Sequence, residues 1–311
     1  MESKEKCCLV LEGGGVKCAY QYGVLDVLTQ AGYKFDGVSG TSFGSLNCAL
    51  YLSGGVERMK EFWETLSGEV MFNEPRLDEL TDKIYEKESL FDVATFSFII
   101  SEWKHPQKKR EEISKLYREL VMKNVDESKI RESKIDFGFV TLEIPNYKNL
   151  LFEGGMSLLF PLTTMARMMF NKTQGRTLLE YFSFVPYELM ADEVHEGKLA
   201  EYIAASANNF IFTPMEIDNK RFTDGGVYDN LPIKMMEDKG YRKFFCIRVS
   251  DTEFKSKCSS DIDITMITPS EKTGNCAMFN VNNIKHLVEL GRKDAKAYID
   301  KLKGALYEKT E

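Results

Sequence analysis

Short apolar runs alternate with amphipathic stretches at the start of the chain. Residues 7–11, CCLVL, form a compact apolar run that predicts a buried β-strand. From Val16 to Ala31, apolar or small residues recur at helical spacing, and Gly32 stands where a glycine commonly ends a helix. With three consecutive glycines between these elements, the pattern predicts a strand, a glycine loop and an amphipathic helix in succession.

A second unit of the same kind follows directly. Phe35 to Ser39 predicts a short strand, and residues 40–44, GTSFG, predict a tight turn flanked by glycines. Residues 45–52 are small and apolar, which predicts a buried helix that ends at Gly54 and Gly55. Two such units in a row indicate an α/β protein.

The rest of the chain continues this alternation. Further helices are predicted at residues 57–66, 90–103, 108–123 and 281–302, and further strands at 135–143, 149–153, 221–223 and 244–249. We therefore expect a three-layer α/β/α sandwich around a mostly parallel sheet. No internal repeat or flexible linker interrupts the sequence, so we expect a single domain over residues 1–311, with an apolar insertion around 154–190.

Composition and charge indicate an ordinary globular protein and exclude several other classes. Of the 311 residues, 43% are hydrophobic and 29% are charged, which excludes a disordered or low-complexity chain. The net charge of −7 disfavours nucleic acid as a partner. Seven scattered cysteines without CxxC spacing predict neither disulfides nor a metal site, so we expect reduced thiols and a cytoplasmic location. No secretory signal and no transmembrane helix are predicted.

The turn at residues 40–44 carries the first candidate chemistry. Gly40-x-Ser42-x-Gly44 matches the nucleophile elbow, in which a serine on a sharp strand-to-helix turn projects its hydroxyl above a sheet. Glycines on both sides avoid collisions with neighbouring backbone, and the dipole of the following helix points at the site. The alternative interpretation is an ordinary tight turn.

The glycine loop at residues 12–17, EGGGVK, opens the first helix. Consecutive N–H groups at a helix N-terminus bind negative charge, which would suit either the oxyanion of acyl transfer or a phosphate. A dinucleotide fingerprint fits poorly, because Cys18 occupies the third glycine position and Asp36 begins the next strand instead of ending it. A simple tight turn is the remaining alternative.

A serine nucleophile requires a proton acceptor, and Asp224 is the best placed candidate. It lies in residues 222–226, FTDGG, where a predicted strand enters a glycine turn, although Asp-Gly is also a common turn pair. A triad of Ser42, Asp224 and His286 is available in chain order. However, His286 falls within the predicted C-terminal helix, and the remaining histidines, His105 and His195, lie in polar stretches.

These motifs together resemble the patatin-like phospholipase family over nearly the whole chain. The family's GGGx[KR]G loop appears at residues 13–18, with Cys18 in place of the last glycine, and its GxSxG elbow appears at 40–44. Its DG[GA] motif appears at 224–226. Further similarities lie at Asn230, Pro232, residues 204–207, Pro214 and residues 291–295.

The resemblance implies a patatin-like fold and a bacterial-type lipid acyl hydrolase that needs no metal or cofactor. It implies that Ser42 is the nucleophile, that Asp224 is the general base, and that Gly14 and Gly15 donate to the oxyanion. It also implies supporting roles for Gly13, Lys17, Gly40, Gly44, Gly225 and Gly226. The expected partner is a lipid or acyl-ester substrate, and transient contact with a membrane surface is compatible with this expectation. A non-catalytic lipid- or acyl-binding protein on the same fold is the alternative.

The apolar segment at residues 156–170, MSLLFPLTTMARMMF, has two interpretations. Its methionines suit an irregular apolar surface, such as a lid or a groove that grips an acyl chain. A buried core helix is the other interpretation, and it is slightly favoured because buried apolar helices are commoner than lids. The segment is too short to span a bilayer.

Overall fold

The computed structural model describes residues 6–67, 70–71, 106–145, 184–209, 212–250 and 258–307. The strands within these residues are β1 (Cys7–Leu11), β2 (Gly37–Thr41), β3 (Asp136–Ile144), β4 (Val185–Met190), β5 (Met215–Ile217), β6 (Lys220–Asp224), β7 (Lys243–Ile247) and β8 (Asp263–Ile267). The helices are α1 (Ala19–Gln30), α2 (Phe43–Thr65), α3 (Pro106–Asn124), α4 (Glu127–Glu132), α5 (Leu199–Ser206), α6 (Ile233–Asp238) and α7 (Val281–Tyr307). Short 3₁₀ turns occupy Gly15–Cys18 and Gly225–Val227.

All these strands belong to a single mixed sheet. The order along the sheet is β5-β6-β3-β2-β1-β7-β8, and β4 pairs with β3 outside this path. Five neighbouring strands, β3, β2, β1, β7 and β8, are parallel to one another. By contrast, β4 and β6 run antiparallel to β3, and β5 runs antiparallel to β6. The parallel part explains why the connections contain helices, because parallel neighbours need crossovers.

Two different strands pair with β3 along the same edge, one with each half of the strand. Its first half pairs with β2, up to Thr41 opposite Val140, and its second half pairs with β6, starting at Asp224 opposite Thr141. The opposite edge is occupied throughout residues 138–143 by β4. Since β2 is parallel and β6 antiparallel to β3, the carboxyl ends of β2 and β6 meet head to head at adjacent residues of β3.

Both faces of the sheet are covered. Along β1, Leu9 and Leu11 pack into the larger core with α1, α2 and α7, whereas Cys8 and Val10 pack into a second cluster with α6. All four side chains are completely buried. This alternation explains why β1 appears as an unbroken apolar run in the sequence. The architecture is the three-layer α/β/α sandwich predicted above.

Helices α1 and α7 cross at two glycines. A Cβ at Gly23 would lie 2.1 Å from the carbonyl oxygen of Val288, and a Cβ at Gly291 would lie 2.2 Å from that of Tyr20. No side chain fits in either gap, so the two backbones touch directly. This contact holds the C-terminal helix against the helix that follows the glycine loop.

Most predicted elements are confirmed, with shifts at their ends. The first turn of the predicted helix at Val16 is a 3₁₀ turn, and the strand predicted at Phe35–Ser39 runs from Gly37 to Thr41. The strand starts later because the backbone N–H of Cys7 bonds the side chain of Asp36, and the N–H of Asp36 bonds the carbonyl of Cys7. Helices predicted at 45–52 and 57–66 are joined as α2, which loses helical geometry at Gly54 and Gly55.

Other elements were not anticipated from the sequence, namely α4, α5, α6, β4, β5 and β8. β4 occupies the end of the range predicted as an insertion, residues 154–190. Several predictions lie outside the described residues: the helix at 90–103, the strand at 149–153, the apolar segment at 156–170, and His105.

The glycine crossing predicts that Gly23→Ala destabilises the protein. An alanine in a helix is normally favoured over glycine by about 1 kcal/mol, but here the methyl group meets a carbonyl oxygen and forces the helices apart. We expect the free energy of unfolding to fall by roughly 1–3 kcal/mol, measured by urea denaturation. Lys285→Ala, at an exposed position of α7, serves as the control. A stabilised Gly23→Ala protein would contradict the direct backbone contact.

Candidate active site

Ser42 occupies a strained turn between β2 and α2. Its φ of 56° and ψ of −136° lie in a region that residues with side chains seldom adopt. The flanking glycines make the turn possible, because a Cβ at Gly40 would lie 2.6 Å from the carbonyl carbon of Gly44. A Cβ at Gly44 would lie 2.3 Å from the carbonyl oxygen of Leu11. The structure therefore places Ser42 as the elbow pattern predicts.

The hydroxyl of Ser42 donates directly to a carboxylate. Ser42 Oγ lies 2.6 Å from Oδ2 of Asp224, and the other oxygen, Oδ1, accepts from the backbone N–H of Gly226 at 2.7 Å. Both side chains are more than nine-tenths buried, at 7% and 8% exposure. The Gly226 contact fixes the carboxylate plane and leaves Oδ2 for the serine. The two residues meet because their strands meet head to head on β3.

Burial changes the acid–base character of Asp224. Removal from solvent raises the pKa of its carboxyl from 3.8 to about 6, although the hydrogen bonds from Ser42 and Gly226 oppose this rise. A carboxylate with a pKa near 6 is still ionised at neutral pH. It is also a stronger base than an exposed aspartate, which suits proton abstraction.

The described histidines do not join this pair. His286 is exposed on α7 and His195 is exposed before α5. Within the described residues, neither makes a hydrogen bond to Ser42 or Asp224. The triad in the order Ser42, Asp224, His286 is therefore not assembled in the structure.

The glycine loop lies directly against the serine. A Cβ at Gly13 would lie 2.9 Å from Cβ of Ser42. The peptide units at Gly13 are clamped by Asn230, whose carbonyl accepts from the Gly13 N–H at 3.1 Å and whose side chain donates to the Gly13 carbonyl at 3.0 Å. Among the described residues, the N–H groups of Gly14 and Gly15 have no hydrogen-bond acceptor. These two donors belong to the residues that directly follow Gly13, the glycine that packs against Ser42.

The structure also accounts for the remaining residues of the glycine-loop motif, from Gly15 to Cys18. Gly15 has a φ of 58°, and a Cβ there would lie 2.3 Å from the carbonyl oxygen of Cys276, so only glycine fits. The Lys17 side chain runs past Gly14, with Cβ and Cε at 3.6 and 3.7 Å from the position of a Cβ there. Cys18, the departure from the family pattern, is buried, and its thiol donates to the carbonyl of Glu12 at 3.4 Å.

Glu12 anchors the base of the loop. Its buried carboxylate accepts from the backbone N–H groups of Val249 and Ser250 at 2.7 and 3.0 Å. It also forms an ion pair with the buried Arg248 at 3.3 Å. The end of β1 is thereby tied to the segment that follows β7, so the loop starts from a fixed point.

The loop after Asp224 is fixed to the same edge of the sheet. A Cβ at Gly225 would lie 2.3 Å from the carbonyl oxygen of Val140, and one at Gly226 would lie 3.1 Å from Oδ1 of Asp224. Thr41 Oγ1 donates to the carbonyl of Asp229 at 2.7 Å. The motif glycines therefore allow this loop to pack against β3 and beside the carboxylate.

An aromatic cluster supports the elbow from behind. The fully buried ring of Phe43, the residue after Ser42, lies 5.5 Å from that of Phe279, 6.1 Å from Trp63 and 6.2 Å from Tyr117, measured between centroids. Tyr117 in turn stacks on Phe212 at 4.6 Å. Phe43 thus packs the first turn of α2 against the last turns of the same helix, against α3 and against the segment before α7.

The sequence motifs assign no site role to Glu12, to Asn230 or to Ser206, whose Oγ accepts from the backbone N–H of Ser42 at 3.1 Å. The sequence places Ser206 and Asn230 only among the similarities to the family, and Glu12 only at the start of the glycine loop. Each acts through a contact with a distant segment, so no local spacing distinguishes it. Glu12 offered one signal, because a carboxylate directly after a buried strand needs a partner.

Alternative chemistries find little support in the described residues. Asp36 lies at the amino end of β2, whereas the glycine loop lies at the carboxyl end of the parallel strand β1, so the two cannot share a dinucleotide. No cluster of three or more metal-binding side chains occurs in the described part of the chain. None of the described helices has the length and hydropathy to cross a membrane.

Comparison with known proteins adds a family match. The sequence profile described as patatin-like phospholipase matches residues 9–236. VipD from Legionella pneumophila aligns with 96% of this chain and 67% of its own, at 14% identity and a TM-score of 0.46. The type III effector protein ExoU aligns with 96% of this chain and 53% of its own, at 11% identity and a TM-score of 0.36. The chain thus spans about half the length of ExoU. No curated protein matches the sequence.

The buried carboxylate predicts that Asp224→Asn stabilises the fold at neutral pH. Because the folded pKa of about 6 exceeds the ordinary value of 3.8, the contribution of Asp224 to stability is most favourable below pH 4 and is lost as pH rises through 6. This pKa difference corresponds to roughly 3 kcal/mol. We expect Asp224→Asn to gain up to that amount at pH 8 and little at pH 4, measured by urea denaturation.

The exposed Asp192 provides the matched control for this charge change. Asp192→Asn should leave the free energy of unfolding nearly unchanged at both pH values. A loss of stability in Asp224→Asn at pH 8 would contradict the cost assigned to burying this carboxylate.

Proposed function

The chain belongs to the patatin-like phospholipase family, and on this premise we propose that it hydrolyses carboxylic esters of lipids through Ser42 and Asp224. The observation that carries the proposal is the 2.6 Å contact from Ser42 Oγ to Asp224 Oδ2, at a strained turn that packs against the glycine loop. Nucleophile, base and oxyanion donors are the parts that acyl transfer requires.

The first half of the reaction forms an acyl-enzyme. Ser42 Oγ attacks the ester carbonyl carbon while its proton passes to Oδ2 of Asp224. The negative charge that develops on the carbonyl oxygen is held by the N–H groups of Gly14 and Gly15. When the intermediate collapses, the alkoxide leaves with the proton from Asp224, and an acyl ester remains on Ser42.

The second half restores the enzyme. Asp224, again ionised, takes a proton from a water molecule that attacks the acyl carbonyl. The same glycine donors hold the second oxyanion, and its collapse returns the proton to Ser42 and releases the fatty acid. The chemistry uses only this chain's residues and water. With phospholipids as substrates, the reaction takes place during transient contact with a membrane surface.

The first test combines covalent labelling with turnover. We expect a fluorophosphonate probe to label wild-type protein at Ser42, and Ser42→Ala and Asp224→Asn to lose roughly 10⁴-fold or more in kcat/KM on p-nitrophenyl esters and phospholipids. His286→Gln, at an exposed position, is the control and should keep wild-type activity.

Two outcomes would contradict the proposal. If the His286→Gln protein is folded but inactive, a triad of Ser42, Asp224 and His286 replaces the proposed pair. Wild-type protein that neither reacts with the probe nor hydrolyses any ester would favour the non-catalytic lipid-binding alternative.

The second test is the pH dependence of kcat/KM. Because Asp224 must be ionised to accept the proton, activity should be level at neutral pH and fall about tenfold per pH unit below a midpoint near 6. Circular dichroism over the same range verifies that the protein remains folded. A midpoint near 4, as for an exposed aspartate, would contradict the role of burial in tuning this base.

A further inference from the structure

The backbone N–H of Ser42 is satisfied by a side chain and not by the sheet. It donates to Oγ of Ser206 at 3.1 Å, and the same hydroxyl donates to the carbonyl of Val140 at 2.6 Å. Ser206 is the last residue of α5 and is completely buried. A single hydroxyl therefore bridges the backbone of the nucleophile and the central strand β3.

This bridge stands where the strand pairing of β2 ends. Thr41 is the last residue of β2 opposite Val140, and the next residue, Ser42, turns away from the sheet with a φ of 56°. The hydroxyl of Ser206 fills the gap that opens between the two backbones. Strained backbone persists only where surrounding contacts hold it, and this bridge is such a contact.

The segment after α5 also holds the base. The carbonyl of Asn208 accepts from the backbone N–H of Asp224 at 3.1 Å and from Oγ1 of Thr223 at 2.9 Å. Ser206 and Asn208 are two residues apart. The end of α5 thus contacts the backbones of Ser42 and Asp224 at once, although these residues are far apart in the chain.

We infer that Ser206 is a positioning residue that sets the direction of the Ser42 hydroxyl for attack. Ser206 acts through the Ser42 backbone and does not touch Asp224 Oδ2 or the glycine donors. The inference rests on the proposed function, since it concerns the reactivity of Ser42 as a nucleophile.

Removal of the bridge should slow the chemical step and spare substrate binding. In Ser206→Ala, the buried N–H of Ser42 loses its acceptor, so the turn relaxes and Oγ moves from its place beside Asp224. Displacement of a reacting atom by about 1 Å costs on the order of 100-fold in rate. We expect kcat and the rate of fluorophosphonate labelling to fall about 10–100-fold while KM stays unchanged.

Two further variants at Ser206 test whether the loss of kcat follows the loss of the hydroxyl group. Ser206→Thr keeps the hydroxyl and should restore most of the activity. Ser206→Cys keeps the size of the side chain but bonds weakly, so it should lie between wild type and alanine. If the alanine variant fails to fold, the comparison of cysteine with threonine still measures the hydroxyl.

Ser53 provides the matched control. It is also completely buried, and its Oγ accepts from the backbone N–H of Asp126 at 2.9 Å, so Ser53→Ala loses the same kind of bond elsewhere. We expect Ser53→Ala and Ser206→Ala to lower Tm by similar amounts, whereas kcat per folded molecule falls only in Ser206→Ala.

The outcomes separate this inference from the function on which it rests. Wild-type kcat and labelling rate in folded Ser206→Ala, beside an active wild-type protein, would overturn the positioning role alone. Equal losses of kcat in Ser206→Ala and Ser53→Ala would overturn it as well. Wild-type protein that neither labels at Ser42 nor hydrolyses esters would overturn both the function and the inference.

Discussion

The head-to-head meeting of β2 and β6 on one edge of β3 is the constraint on which the site depends. Thr41 and Asp224 stand opposite adjacent residues of β3, so Ser42 and Asp224, the proposed nucleophile and base, are brought together by strand register. A slip of one residue in β6 would move Asp224 by about 3.3 Å and turn its side chain to the other face of the sheet. The 2.6 Å contact between Ser42 and Asp224 is thus a property of the whole sheet.

The site contains two groups that destabilise the folded state, and well-packed contacts surround them. A buried carboxylate with a raised pKa and a serine at positive φ both disfavour the folded state. Fully buried strands, the aromatic cluster around Phe43 and the ion pair of Glu12 with Arg248 surround them. Natural proteins commonly retain such local destabilisation where chemistry requires it.

Local patterns were sufficient to predict the elements that bear the motifs. The strand at Cys7–Leu11, the elbow at Ser42 and the strand that ends at Asp224 each have a signature within a few residues. β4, β5 and β8 lack one, because they are short or exposed strands stabilised by pairing with distant neighbours. The head-to-head arrangement on β3 likewise depends on contacts that no sequence spacing records.

The same limit applies within the site. Ser42, Asp224 and the glycines were identified from motifs, whereas the bridge through Ser206 and the clamp by Asn230 join segments more than 150 residues apart. Ser206 and Asn230 are small polar residues that occur in many loops. Only the folded chain shows the contacts through which they act on the site.

The separation of Ser42 and Asp224 along the chain also determines the order in which the site is completed. Ser42 precedes Asp224 by 182 positions, so during synthesis the elbow and the glycine loop emerge first. At about 5–20 residues per second, the carboxylate follows roughly 10–40 seconds later. A growing chain that has not reached β6 contains Ser42 and the glycine loop but lacks both Asp224 and the Asn230 that holds the loop. Under the proposed function, lipid-cleaving capacity is therefore withheld from the nascent polypeptide until most of the sheet has been translated.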